Sequence, residues 1–294
     1  MRVLVTGANG MLGIDLCALL EKEGHQVVRT DVSVKEGMQV PAWEPLDITD
    51  TQATMQFVAK HQPDAVIHGA AYTDVDGCTR NPELAYRINA FGTWNLAAAC
   101  AEKDIKIFYI STDFVFDGAK HEPYTECDTP NPLSHYGGSK LEGERLVKQL
   151  CRKHFICRTS WLFGIHGKSF PNTMLELAKT HTERFVVVDQ VGSPTHTLDL
   201  ARKLISMLDS PLYGTYHITN TGHCSWYEFA KKTLEVAGVH TMEVKPVPAS
   251  QYPSPTKRPA YSVLRHFSLE LQGKDDLLPW QLALEEFVRI RGSR

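Results

Sequence analysis

No apolar run in this sequence approaches the roughly 20 residues that cross a bilayer. The N-terminus, MRVLVTGANG, lacks a basic segment followed by a hydrophobic one, so no signal peptide is expected. Positive charge is not in excess: 31 Lys and Arg face 34 Asp and Glu, a net charge of -3. Nucleic-acid binders usually carry a basic face, so neither nucleic acid nor membrane is an expected partner. The seven cysteines (Cys17, Cys78, Cys100, Cys127, Cys151, Cys157 and Cys224) are odd in number and include no CxxC pair. They read as reduced thiols of a cytoplasmic protein. The thirteen histidines fall in no HExxH pattern and share no zinc-ligand spacing with cysteine, so no metal ligand is assigned. Repeats and low-complexity tracts are also lacking.

What is present is a chain of 294 residues, 43% hydrophobic and 22% charged, as in soluble globular proteins. Short β-branched runs alternate with helical patterns in the first half. Arg2–Thr6, Gln26–Asp31, Ala65–His68, Ile105–Ile110 and Phe155–Arg158 read as strands. Leu12–Glu23, Thr51–His61, Leu84–Glu102 and Tyr136–Leu150 read as helices, the second capped by Asp50. This alternation predicts an α/β fold: a doubly wound parallel sheet of Rossmann type. Phe185–Val188, Ala201–Leu208 and Gly214–Ile218 look like one more strand–helix–strand unit, and Trp226–Ala237 like a helix. Val244–Pro259 holds five prolines and is expected to be loop. The second half therefore reads as a smaller interwoven lobe. Residues 1–160 plus about 185–219 would form the dinucleotide domain, and about 161–184 plus 220–294 the substrate lobe.

The first strand runs into Gly7-Ala8-Asn9-Gly10-Met11-Leu12-Gly13, a GxxGxxG turn that opens a helix. In such a turn Gly7 permits the bend, Gly10 lets backbone approach a pyrophosphate and Gly13 lets helix and strand pack. The helix N-terminus offers N–H groups and partial positive charge to the phosphates. Asp31, at the end of the second strand, can accept the ribose hydroxyls, which favours NADH over NADPH, although Arg29 lies nearby. Asp47 and Ile48 are candidates for the adenine side.

Tyr136-Gly137-Gly138-Ser139-Lys140 is a YxxxK pattern. On a helix, residues four apart share a face, so an ammonium can stabilise a phenolate there. A lysine and a cationic nicotinamide together could lower the tyrosine from its ordinary pKa of about 10 toward about 7. Ser111-Thr112 ends the strand before it. With the glycine turn, this makes a proton-donor site beside a dinucleotide.

On these motifs the chain resembles the extended branch of the short-chain dehydrogenase/reductase superfamily. The resemblance spans nearly the whole sequence: GANGMLG from Gly7, HGAAYTDVD from His68, STDFVFDG from Ser111, HYGGSKLEGE from His135, RTSWLFG from Arg158 and RPAYSVL from Arg258. It implies NADPH or NADH as cofactor and a nucleotide-activated 4-keto-6-deoxy sugar as substrate. Tyr136 would be the general acid, Lys140 would bind the nicotinamide ribose, and Thr112 would hold the carbonyl. Gly69, Ala70, Ala71 and Tyr72, with Asn89 and Ser111, would complete the cofactor site. Asn89 would support a proton relay through water. Asp113, Phe114, Phe116, Trp161, Asn172 and Arg258 would meet the substrate, with Phe163 beside them and Arg258 on the diphosphate. Sister dehydratases carry an acid immediately after Thr-Asp; Phe114 stands there, which points to simple ketone reduction. Another epimerase or dehydratase, or a silent regulatory subunit, are the alternatives. Some relatives are described with a divalent cation such as Mg²⁺, but no acidic cluster in the sequence calls for one. A homodimer is compatible with the sequence.

Overall fold

The computed structural model describes residues 1–33, 41–252 and 254–292. Seven parallel strands form the central sheet: β1 (Arg2–Thr6), β2 (Gln26–Asp31), β3 (Glu44–Pro45), β4 (Ala65–His68), β5 (Lys106–Thr112), β6 (His154–Thr159) and β7 (Gly214–His217). Their spatial order is β7-β6-β5-β4-β1-β2-β3. The connections reverse direction between β1 and β4, which opens a crevice at the carboxyl ends of these strands.

Strand side chains alternate between the two faces. Val3 and Val5 join one core with Leu16, Leu200 and Leu204. Leu4 and Val66 join another with Phe57 and Leu96. The first core is covered by α1 (Met11–Lys22), the second by α2 (Thr51–His61), so both faces of the sheet are dry. Asp50 caps α2, its carboxylate accepting from the N–H of Ala53 at 2.9 Å.

The alanine-rich stretch expected as one helix is three consecutive pieces. After α3 (Val75–Arg80) come α4 (Pro82–Tyr86), a wide π turn over Arg87–Gly92, and α5 (Thr93–Glu102). π turns are rare and recur at functional sites. Here the turn carries Asn89, whose carboxamide grips the Tyr72 backbone on both sides, accepting from its N–H (2.7 Å) and donating to its C=O (3.1 Å). Next come α6 (His135–Leu150), α7 (Phe170–Leu177) and α8 (Thr197–Ser206). They are followed by α9 (Trp226–Val236), α10 (Phe267–Leu271) and α11 (Trp280–Gly292).

Two expectations for the second half are corrected. Gly214–His217 does extend the main sheet, but the FVVV run does not. Glu183–Val187 instead pairs in parallel with Glu243–Val247, within the smaller lobe. That partner lies in the proline-rich segment expected to be loop. Pro246 is tolerated because a two-stranded ribbon has free edges where a missing N–H breaks no ladder. The smaller lobe has its own core of Phe163, Met174, Phe229, Trp280 and Phe287.

Helix α8 packs on α1 and so backs the glycine turn; its Leu204 is fully buried. Leu204→Ala is expected to cost about 2–5 kcal/mol in unfolding by urea, from lost transfer energy and the cavity left behind.

Candidate active site

The crevice is a cavity of about 830 Å³ running from the glycine turn to the smaller lobe. At one end lie Gly7, Asn9, Gly10, Met11, Leu12 and Gly13. Gly7 has φ +69°, and a Cβ there would come within 2.8 Å of Ala70 N. A Cβ on Gly13 would lie 2.2 Å from Gly7 O. Both positions therefore need glycine. Among the described residues no side chain caps the start of α1 at Gly10, leaving its leading N–H groups without a side-chain partner there. Such a terminus fits an anion, and a dinucleotide pyrophosphate supplies one.

Asp31, Asp47 and Ile48 line the same end, and Gly69, Ala70, Ala71 and Tyr72 line the middle. The Asp31 carboxylate accepts from the N–H groups of Asn9 (3.0 Å) and Val32 (2.8 Å), so it also braces the turn.

The other end holds a hydroxyl, a phenol and an ammonium. Thr112 closes β5, while Tyr136 and Lys140 stand one turn apart on α6; all three line the cavity. Ser134 caps α6, its hydroxyl accepting from Gly137 N–H at 3.1 Å. Lys140 is buried, its ammonium 4.1 Å from the centre of the Tyr109 ring. Burial pulls Lys140 down to about 7, and Glu144 works in the opposite direction. Burial pushes the Tyr136 phenol above its ordinary value, and Asp113 and Cys78 add to this, while a hydrogen bond with Thr112 opposes it. Lys140 is not among the groups that shift the phenol, so the expected lowering is not seen here. The phenol is instead held protonated, the form that a proton donor needs. Ser111 lines the cavity, but its hydroxyl is donated to Glu144 at 2.6 Å.

Asp113 is buried beside Thr112 and accepts from Thr112 Oγ1 (3.1 Å) and from Ser262 Oγ (2.6 Å) of the smaller lobe. Burial raises its carboxyl to about 6 against these bonds. Phe114 meets the Tyr136 ring edge to face at 5.5 Å. Trp161 forms part of the wall with φ +47°, a strained value for a bulky residue, and stacks on Trp226 at 3.5 Å. Arg258 reaches the cavity and pairs with Asp76 at 3.3 Å.

Four candidates, Phe116, Asn89, Asn172 and Phe163, are not brought to the cavity wall. Phe116 is fully buried, stacked on Tyr124 at 4.2 Å. Asn89 spends its carboxamide on Tyr72 and on Ser139 Oγ (3.0 Å). Asn172 donates to the carbonyls of Gly164 (2.9 Å) and Gly167 (3.2 Å), bracing the loop whose His166 and Lys168 do line the cavity. Phe163 lies in the core of the smaller lobe. Lys168, Gln190, Trp226 and Ser262 are wall residues that the sequence reading missed. They come from four separate segments of the smaller lobe, and no local spacing marks them.

Away from this cavity, His196, Asp199 and Glu286 place ligand-type atoms within 4.8 Å of one another. Their charge is already answered: Arg202 donates to Asp199 (2.8 Å) and to Glu286 (3.0 Å).

A Rossmann sheet with Thr112, Tyr136 and Lys140 at its carboxyl edge defines the extended short-chain dehydrogenase/reductase class. Within that class the chain belongs to the family described as RmlD substrate binding domain, whose model matches residues 1–291. A dTDP-4-dehydrorhamnose reductase from Clostridium acetobutylicum is 45% identical, with a TM-score of 0.92 and 99% of each chain covered. A dTDP-4-dehydrorhamnose reductase from Bacillus anthracis, in complex with NADP, is 42% identical with a TM-score of 0.91, covering 98% of this chain and 99% of that one. The spore coat polysaccharide biosynthesis protein SpsK of Bacillus subtilis is 39% identical over 99% of this chain and 98% of its own length.

Asp113 gives the site a pH signature. Its folded carboxyl titrates near 6, above the ordinary 3.8. Between these values the folded state keeps a proton that the unfolded chain has released. Stability from this group is thus present at low pH and lost as pH rises through about 4 to 6, by ~3 kcal/mol. Asp113→Asn is expected to remove that slope, read as the difference between urea unfolding at pH 4.5 and pH 7.

Proposed function

We propose that this protein is an NAD(P)H-dependent reductase that converts the C4 ketone of dTDP-4-dehydro-β-L-rhamnose to the alcohol, giving dTDP-L-rhamnose. The observation that carries the reading is the convergence of Thr112, Tyr136 and Lys140 at one end of a cavity whose other end is an uncapped glycine turn. The reductase names of relatives at 42% and 45% identity support it, as does NADP in one of them.

The glycine turn and Asp31 fit a dinucleotide, with Lys140 toward the nicotinamide ribose. When bound there, the reduced nicotinamide supplies the hydride. Tyr136 gives its phenolic proton to the sugar oxygen as charge develops on it. Thr112 turns its hydroxyl proton from Asp113 to the same oxygen and polarises the carbonyl. The Lys140 ammonium offsets the phenolate left behind. Phe114 holds no proton-abstracting group, so the C5 proton stays and no water is eliminated. Trp161 and Trp226 wall the sugar, and Arg258 exchanges Asp76 for the diphosphate. In this reading the sheet lobe carries the cofactor and the smaller lobe the substrate.

Tyr136→Phe is expected to lower turnover at least about a hundredfold while NADPH still binds, measured by nucleotide oxidation and by fluorescence titration. Turnover near the unsubstituted level would overturn the assignment. Net oxidation of NADPH or NADH by the keto sugar, with the alcohol as product, separates reduction from epimerisation or dehydration, which recycle their cofactor.

A further inference from the structure

An ion pair is sealed where β5, β6 and α6 meet. The side chains of Glu144 and Arg158 are only 1% and 2% exposed. Arg158 donates to both carboxylate oxygens, Nε to Oε1 at 2.8 Å and Nη2 to Oε2 at 2.7 Å. Ser111 Oγ donates to Oε1 at 2.6 Å. The remaining guanidinium nitrogen lies 3.4 Å from His217 Nε2, and the Phe116 ring packs 5.1 Å from its carbon. Burial holds His217 far below the usual imidazole value. Its Nδ1 faces the carbonyls of Tyr124 and Arg265, both at 3.1 Å, so Nδ1 keeps the proton and Nε2 accepts from Arg158.

A buried pair of this kind is a poor way to gain stability, since apolar side chains of equal volume often serve as well or better. Its placement suggests another use. Glu144 lies one turn beyond Lys140 and two beyond Tyr136, on the same face of α6. Ser111 precedes Thr112 on β5, and Arg158 sits opposite Ser111 in the β5–β6 register. One carboxylate therefore ties the helix of the proton donor to the strand that ends in the carbonyl-binding hydroxyl. Helix and strand also approach closely here: a Cβ on Gly143 would lie 2.3 Å from the Tyr109 hydroxyl.

We propose that Glu144, gripped by Arg158 and Ser111, is a positioning residue that sets the register of α6 on β5 and gives Lys140 its buried counter-charge. The proposal rests on the reading of Tyr136, Lys140 and Thr112 given above. The groups facing Lys140 are Tyr109 from β5, His68 from β4, and Tyr136 and Glu144 from α6 itself. His68 is neutral, burial pulling it down to about 3. Facing Glu144 are Ser111, Arg158 and Lys148, the last at 4.0 Å. Glu144 is thus the one carboxylate among the described groups that face Lys140, and its removal disfavours the charged ammonium.

The test compares Glu144→Gln and Glu144→Asp with the unsubstituted protein. The Lys140 midpoint is followed by NMR of ¹³Cε-labelled lysine, assigned with Lys140→Arg, and kcat and KM are measured against pH. In Glu144→Gln the Lys140 midpoint is expected to fall by about one pH unit, and the basic limb of kcat to move with it. In Glu144→Asp the charge is kept but the two-oxygen grip is shortened. The midpoint should then return toward its original value while kcat stays at least about tenfold down with KM little changed. An unmoved Lys140 midpoint in Glu144→Gln, or full kcat in both variants, overturns the proposal. If Glu144→Gln does not fold, full kcat in Glu144→Asp overturns it and reduced kcat with an unmoved midpoint supports it. Should the unsubstituted protein reduce no keto sugar, the reaction assigned above fails, and the NMR titration still decides the role of Glu144.

Discussion

Burial of an ammonium beside a phenol is the constraint on which this site turns. Lys140 is buried and Tyr136 half-buried at the end of a sheet whose faces are dry. Desolvation acts on both in the direction of neutrality, lowering the lysine and raising the tyrosine. The phenol is thereby held in its protonated form. The ammonium is kept available by a carboxylate one turn away, which is in turn held by a guanidinium and a hydroxyl from two adjacent strands.

The rest of the fold builds the cavity around that point. The parallel strands end together, and the reversal between β1 and β4 opens space above them. The glycine turn fills one end of that space with backbone donors, because side chains at Gly7 and Gly13 would collide with backbone. The smaller lobe closes the other end with two stacked tryptophans, and Ser262 reaches across to Asp113.

Much of this was legible in the order of residues. A buried parallel strand is a continuous apolar run, so Arg2–Thr6 and Ala65–His68 announced themselves, and YxxxK placed Tyr136 and Lys140 on one helix face. What escaped was non-local. Phe185–Val188 reads as a main-sheet strand because its pattern suits either sheet; only the pairing of Glu183–Val187 with Glu243–Val247 decides. Asn89 looked like a relay residue, yet a π turn aims its amide at Tyr72. Phe116 lies in the same run as Thr112, but stacking on Tyr124 turns it inward. Gln190 and Trp226 joined the wall only through tertiary folding.

The most direct measurement is a crystal structure of the complex with NADPH and the keto sugar nucleotide. The account predicts the Tyr136 hydroxyl within hydrogen-bond reach, about 3 Å, of the sugar C4 oxygen, with the Lys140 ammonium on the nicotinamide ribose. A phenol directed away from that oxygen, with another group in its place, would contradict it.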